Sequence, residues 1–461
     1  MGGAASSGAR GAPHPTGLRY ASPGHPPHRK RGEGSYWRHA FNYQKENNIV
    51  DILKVRDAQD VETAVRAAIA GEQPLEIVGH GSKRGIGQPV ATNAVLDLSA
   101  LNAVTAYEPN ELILTVQAGA PMADVLSLID SKNQQLSFEP MNTSKLLGTA
   151  DIGTVGGMIA AGLAGPRRIQ AGGARDHLLG AHAVSGFGDS FKAGGKVVKN
   201  VTGYDLCKLL AGSWGTLAVM TEVTLKVMPR AESERTLLLR GLDDLQANQA
   251  MTAALGSPFD VSGAAHLPGS ALRTTEGPLG ELAAPDQSVT LLRLEGITVS
   301  AKHRAASLAE ALSAHGTAEI VEDAASATLW AGIRDAVPFA ASGPRAMWPV
   351  WRIVCPPAAG GQLGLAITRA SQGEVFYDWG GGLIWAALPP SDDAQAGPLR
   401  KLVNAAGGHA TLIRASEAVR LSVDVFHPQA PGLAALGARV RNSFDPKNIL
   451  NRGRMSRGPL A

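Results

Sequence analysis

From Val50 onward the apolar positions of this chain fall into short strand-like runs alternating with helix-spaced repeats. Val61, Val65 and Ile69, with Ala64 and Ala68 beside them, predict a helix ending at Gly71. After Pro74 the run Leu75, Ile77, Val78 stops abruptly at Gly79-His80-Gly81-Ser82-Lys83-Arg84-Gly85, a strand entering a glycine loop. Leu96–Leu98 and Leu112–Val116 predict two more strands. Pro121 opens a helix with Met122, Val125, Leu126 and Ile129 facing inward, and Leu136–Phe138 predicts a further strand. A second glycine loop, Gly153–Gly157, runs into small residues up to Gly165, where a helix can start close to a ligand. Leu178–Val184 and Lys196–Val198 flank a Gly186–Asp189 turn and predict a hairpin, and Val223, Leu225 and Val227 alternate with Thr224 and Lys226 before Pro229. The pattern predicts an α+β domain over residues 50–229.

Beyond Arg230 the signals weaken. Val289–Leu294 and Trp351–Val354 read as strands and His303–Leu312 as a helix, giving a second domain over residues 230–430 without a recognisable catalytic motif. Residues 431–461 read as a helix followed by a turn directed by Pro446.

Composition narrows the function. At 461 residues, 44% hydrophobic and 18% charged, the chain can bury a sizeable core. Its 54 glycines and scarce aromatics suit many close backbone approaches. The net charge of +3 is uneven: Arg10, Arg19, Arg29, Lys30, Arg31 and Arg38 stand against Glu33 alone, which leaves the rest slightly acidic and without a nucleic-acid signature. Residues 1–49 read as a disordered basic extension or the product of a misplaced start codon, with a patch touching a membrane or partner as the functional alternative. No apolar run reaches the roughly 20 residues that span a bilayer. Cys207 and Cys355 are too few for a four-thiolate iron–sulfur cluster or a disulfide framework, and suggest a reducing cytoplasm.

The loops carry the candidate chemistry. Backbone N–H groups meet the charge of a pyrophosphate where glycines let the chain curl closely, as at Gly79, Gly81, Ser82 and Lys83, and a helix start at Gly153–Gly157 favours anions. The first loop is not a Rossmann fingerprint, because its third glycine is Gly85 and no helix follows, and it lacks the ending of a P-loop.

Four segments carry a resemblance: PLEIVGHGSKRGIG, GTVGGMIAAG, VVKNVTGYDLCKLLAGSWGTLAVMTEVTLKV and the terminal FDPKNILNRGRM. Together they resemble the FAD-binding E subunits of bacterial glycolate oxidases, within the vanillyl-alcohol-oxidase (PCMH) type of flavoproteins, closely over about residues 51–229 and more loosely beyond. The resemblance implies an α+β fold: a two-subdomain FAD-binding domain, an α+β cap and a C-terminal segment returning to the FAD domain. It implies non-covalent FAD, with Val78, Gly79, His80, Gly81, Ser82, Lys83 and Arg84 cradling the pyrophosphate. Gly153, Thr154, Val155, Gly156 and Gly157 would lie along it towards the flavin. Gly203, Gly215, Thr216 and Val219 match the part lining adenine and ribitol, and Asn451 and Arg452 would return near the ring. The implied partners are a sister FAD-linked catalytic subunit, an iron–sulfur subunit and a small 2-hydroxy acid, in a cytoplasmic complex that touches the inner face of the membrane only peripherally.

The departures bear on catalysis. The His-x-Gly-Asp-Gly-Asn element of related 2-hydroxy-acid dehydrogenases is missing; the nearest match, Gly407-Gly408-His409-Ala410-Thr411, keeps one imidazole, and His409 reads as structural. No catalytic residue is assigned and no metal site is expected, since His177 and His182 lack a third ligand at suitable spacing. Covalent flavin attachment at His80 is a minor alternative. Arg167, Arg168 and Lys199 read as a solvated charged face, while Arg334, Arg345 and Arg352 are the candidates for a carboxylate clamp. Three functions stay open: a flavin subunit of a multi-subunit glycolate dehydrogenase, an autonomous FAD oxidoreductase acting on an alcohol or 2-hydroxy acid, and a non-catalytic assembly subunit.

Overall fold

The structure is a computed structural model that describes residues 51–195, 203–285 and 287–456. The basic N-terminal stretch, Lys196–Val198 and Lys199 lie outside the described residues. Three parallel strands, β1 (Asp51–Lys54), β2 (Leu75–Val78) and β3 (Ala94–Asp97), pair in the order β1-β3-β2. The helix Ala58–Ala70 links β1 to β2. Asp57 caps its start by accepting the Asp60 N–H at 2.8 Å, and Gly71 ends it. Its helical stripe of Val61, Ala64, Val65 and Ala68 packs on Leu75 and Leu96. The C-terminal segment completes this layer. Leu450 bridges Leu75 in parallel, Leu75 N–H donates to the Ile449 carbonyl at 2.8 Å, and Asn451 N–H donates to that of Leu75 at 2.9 Å.

A second layer contains β4 (Val104–Glu108), β5 (Ile113–Gln117), β6 (Gln134–Gln135), β7 (Leu178–Ser185), β8 (Ser190–Gly194), β9 (Ala218–Lys226) and β10 (Met228–Pro229). Five of these form an antiparallel sheet ordered β4-β5-β9-β7-β8, and β6 pairs with β10. Met122, Val125 and Ile129 of the helix Met122–Asp130, with Val155, Met158 and Ile159 of the helix Val155–Ala161, bury against Leu114, Val116, Val223 and Leu225. Two expectations shift here. The strand expected at Leu136–Phe138 is the two-residue β6 just before it, because those side chains turn inward into the core with Leu136 and Phe138 buried. The hairpin partner of β7 is Ser190–Gly194, the chain turning back directly after Gly188, whose φ is 79°.

The third layer is one antiparallel sheet of β11 (Ser233–Arg240), β12 (Val261–Leu267), β13 (Val289–Gly296), β14 (Glu319–Glu322), β15 (Val350–Val354), β16 (Glu374–Asp378), β17 (Leu383–Ala387) and β18 (His409–Arg414), ordered β14-β11-β13-β12-β16-β17-β15-β18. Period-two alternation sorts its faces: Leu237, Leu239, Leu292 and Leu294 meet the helices Asp244–Leu255 and Thr298–Ala311, while Leu238 and Leu291 meet Ile86, Met141, Ala161 and Leu163 from the earlier layers. Arg293 lies on that second face and donates to both carboxylate oxygens of Glu139 at 2.8 and 3.0 Å, fully buried. Arg167 joins the cluster, its Nε donating to Glu295 at 2.7 Å. The solvated face expected for Arg167 is therefore a buried ion network.

Candidate functional site

The first glycine loop leaves β2 and meets the second glycine loop edge to edge. A side chain at Gly79 would put its Cβ 2.4 Å from the Thr154 hydroxyl, and one at Gly153, where φ is 93°, would sit 2.2 Å from the Ser82 hydroxyl. Both positions need glycine because the loops touch through bare backbone. Asp151 ties them together. One of its oxygens lies 3.0 Å from His80 Nδ1, and the other accepts the Gly153 N–H at 2.7 Å.

Between the loops runs an open cleft with a cavity volume of about 100 Å³. Its lining takes in Ile77, Val78, Gly79, His80, Gly81, Ser82, Lys83 and Arg84 from the first loop, Thr154, Gly156, Gly157 and Ala160 from the second, and Leu98, Ala118, Trp214, Gly215, Ala218, Met220, Asn451 and Arg454. No carboxylate is among these residues. Lys83 Nζ donates to the Ile152 carbonyl at 3.0 Å and approaches the Ser82 hydroxyl at 3.3 Å, and burial pushes its ammonium down from 10.5 to about 8. A cation held beside a glycine cradle, with small apolar walls at Ala118, Ala160 and Ala218, fits a dinucleotide: the pyrophosphate compensates the charge and the walls accept flat rings.

The placement refines the sequence reading residue by residue. The helix start at Val155 offers little to an anion, because Val155 N–H donates to Ala120 O, Gly156 N–H to Ala118 O and Gly157 N–H to Thr154 Oγ1. Val155 and Val219 are core side chains, and Thr216 is buried with its hydroxyl on the Ser213 carbonyl. Gly153 packs the loops together from behind the lining, while Gly203 has open space around it. Asn451 lines the cleft, with Oδ1 accepting the Ile77 N–H at 2.8 Å. Arg452 is exposed, and Arg454 two residues on is the buried one, donating to the carbonyls of Arg84 and Ile86 and to Glu76. Sequence reasoning missed Arg454, Asp151 and Trp214; an Asp two residues before a loop glycine was the available signal for Asp151.

Trp214 also borders a second cavity, between Ala161, Gly162, Leu163 and Gly212 on one side and Arg352, His409, Thr411 and Ile413 on the other, closed by Phe426, His427 and the segment to Leu433. Strand register explains the polar wall. Arg352 of β15 stands opposite Thr411 of β18, and Val354 opposite His409, so Arg352, Thr411 and His409 share one face. His427 Nδ1 accepts the Ala410 N–H at 3.1 Å, which leaves the proton on Nε2 to donate to Asn404 Oδ1 at 2.8 Å. Burial, then Arg352 and Arg168, push His409 below its ordinary 6.5. The three arginines do not converge: Arg334 pairs with Asp335 at 2.7 Å and Arg345 with Glu374, whereas Arg352 alone faces the cavity. His177 and His182 part as well, the first bonded to the Ala171 carbonyl and the second exposed near Glu222.

Residues 52–194 match the FAD binding domain family. The chain is 31% identical over 393 residues to glycolate oxidase subunit GlcE of Escherichia coli, covering 85% of this chain and 95% of that protein. The chain belongs to the glycolate oxidase subunit GlcE family. It is an FAD-dependent oxidoreductase with FAD as its cofactor. Glycolate oxidase subunit GlcD of Bacillus subtilis is 34% identical over 173 residues, 37% of this chain and 35% of that one. Among solved structures, the 4-ethylphenol oxidase of Gulosibacter chungangensis superposes with a TM-score of 0.64 at 15% identity, over 90% of this chain and 91% of the other. p-Cresol methylhydroxylase gives 0.61 at 13%, over 88% of each. The fold is thus the two-subdomain FAD-binding fold of the vanillyl-alcohol-oxidase (PCMH) type with a cap, as the resemblance implied.

Proposed function

We propose that this chain is the FAD-carrying subunit of a multi-subunit glycolate oxidase that converts glycolate, with D-lactate as a second substrate, to the 2-oxo acid and passes the electrons to an iron–sulfur partner subunit. The observation that carries this reading is the adjacency, across Trp214, of a glycine cleft whose lining holds no carboxylate and a cavity walled by Arg352 and His409. Gly79–Lys83 would hold the pyrophosphate of FAD, with Lys83 supplying the compensating charge. Gly215 and Asn451 would fix the cleft wall leading to the second cavity. Residues 50–229 would form the FAD-binding domain, 230–430 the cap and 431–461 the returning segment. Bound FAD supplies a two-electron acceptor. His409, whose pKa is lowered by partial desolvation and its arginine neighbours, would take the hydroxyl proton, since His427 is spent on Ala410 and Asn404. With only two cysteines, both buried, the chain cannot itself hold a four-thiolate relay, so the electrons would leave to a partner. No helix among the described residues is long and apolar enough to cross a membrane; any membrane attachment would run through the complex.

Purification tests the first step. The chain should be yellow and release FAD on denaturation; a colourless protein that takes up no added FAD would defeat the reading. Co-expression with a GlcD-type flavoprotein and a cysteine-rich protein encoded nearby should yield one assembly that reduces a dye with glycolate and loses that activity when the cysteine-rich chain is omitted.

A further inference from the structure

Among the described residues, many arginines of the interior are answered by carboxylates, and Arg400, Arg414 and Arg420 donate to backbone carbonyls instead. Arg293 and Arg167 meet Glu139 and Glu295, Arg334 meets Asp335, Arg345 meets Glu374, Arg235 meets Glu322 and Arg240 meets Glu319. Arg352 breaks the pattern. It is only half-buried because its head opens on the cavity beside His409, and among the described residues no carboxylate lies within ion-pair distance of it. Another cation is close by: the guanidiniums of Arg168 and Arg352 both stack on the Trp379 ring, 4.6 and 4.9 Å from its centre. Trp379 is held for this purpose at a φ of 54°, its indole N–H donating to the Gly165 carbonyl at 3.0 Å. The adjacent acid, Asp378, forms no ion pair with either guanidinium and answers Arg352 only weakly, at a distance. It is buried, accepts the Trp379 N–H at 2.7 Å, and is pushed up by burial to about 7, so it is only about half ionised at neutrality and compensates Arg352 in part.

Arg168 is exposed and solvated, but the desolvated guanidinium of Arg352 beside it lacks an ion-pair partner, a cost that a ligand anion would relieve. We propose that Arg352 is the carboxylate anchor of the second cavity, reinforced by Arg168 across Trp379, and that it selects a small 2-hydroxy acid over the corresponding neutral alcohol or amide. The guanidinium fork takes the carboxylate in a bidentate pair, and the β15–β18 register then sets Thr411 and His409 beside the rest of the molecule. The anchor stands where no His-Gly-Asp-Gly-Asn element is available, and its partner Arg168 comes from a different layer of the fold, so it forms only when the cap is seated. This proposal rests on the reading of the glycine cleft as the FAD site.

The test uses oxalate, which cannot be oxidised by this route, and neutral glycolamide, each titrated into the FAD-loaded full chain and followed by the visible flavin spectrum. Oxalate should perturb the spectrum saturably and glycolamide should bind on the order of 100-fold more weakly. Arg352→Met should lose the oxalate response on a similar scale with FAD content unchanged, and Arg352→Lys should recover part of it. Equal binding of oxalate and glycolamide, or an unchanged oxalate affinity in a folded, FAD-loaded Arg352→Met protein, would overturn the anchor. If the wild-type chain takes up no FAD, the reading of the cleft falls by itself; calorimetric titration of the FAD-free chain with oxalate then decides the anchor, heat that saturates in the wild type and is lost in Arg352→Met supporting it and absence of heat overturning it.

Discussion

The side-chain amide of Asn451 donates to the Trp214 carbonyl at 2.7 Å, joining the C-terminal segment to the loop that borders both cavities. Its other end accepts the Ile77 N–H, and the residue is buried. Asn451→Ala strands both backbone groups, at about 1–3 kcal/mol for each buried group left unmade. The expected outcome is a lower Tm and, more specifically, FAD that washes out on gel filtration. Asn451→Asp keeps the acceptor for Ile77 but puts a carboxylate against the Trp214 carbonyl and should weaken FAD retention almost as much.

Lys83 gives the cleft a pH signature with two opposite signs. In the FAD-free chain its ammonium is lowered to about 8, so between pH 8 and 10.5 the folded state binds fewer protons than the unfolded state and the FAD-free chain gains stability as pH rises. FAD binding favours the charged form, so its affinity should fall as pH rises through about 8. Chemical denaturation and FAD fluorescence titration across pH 7–10 measure the two trends. Lys83→Met should abolish the pH dependence of affinity and weaken binding on the order of tenfold or more.

Arg293 stands between Glu139 and Glu295, fully buried. Arg293→Met leaves Glu139 and Glu295 to share Arg167 alone and should cost roughly 3–5 kcal/mol, read as a lower urea midpoint. The acid limb follows from Glu295, which the neighbouring arginines hold at about 2 despite burial. A depressed carboxylate contributes stability that is complete above its unfolded value near 4.5 and is lost as pH falls towards 2, so the wild type should weaken steadily across that window.

His409 should set the acid limb of substrate oxidation. Because its pKa is lowered, the fraction able to accept a proton rises with pH about a midpoint below the ordinary 6.5. In the assembled enzyme, flavin reduction by glycolate should climb with pH, with its midpoint below the ordinary imidazole value. His409→Asn should flatten that profile and slow reduction on the order of 100-fold, with FAD content unchanged.

Gly79→Ala drives a methyl group into Thr154 and separates the loops; FAD content should drop while β11–β18 and their helices keep their far-ultraviolet signature. Gly203→Ala, in open space but at a φ of 74°, costs only local strain and should retain FAD.

Local chemistry made much of this legible. Gly79–Gly81 and Gly153–Gly157 announced a backbone cradle, and Val61–Ile69 announced its helix, because both depend on neighbours in sequence. The failures are long-range. Whether Arg452 or Arg454 turns inward depends on the bridge between Leu75 and Leu450, which fixes the phase of the returning segment. Arg334, Arg345 and Arg352 look alike in sequence; only strand register and the positions of Asp335 and Glu374 show which guanidinium is left to face a cavity. Trp214 escaped notice because its value lies in bordering two spaces at once.

The parallel bridge from Leu75 to Leu450 also orders events in time. During synthesis the β2 edge and its glycine loop emerge long before the strand segment, Asn451 and Arg454 that brace them. Until the ribosome has delivered those residues the nascent cleft lacks a wall, so cofactor loading follows translation, and a chain cut short by premature termination forfeits its flavin before it forfeits its cap.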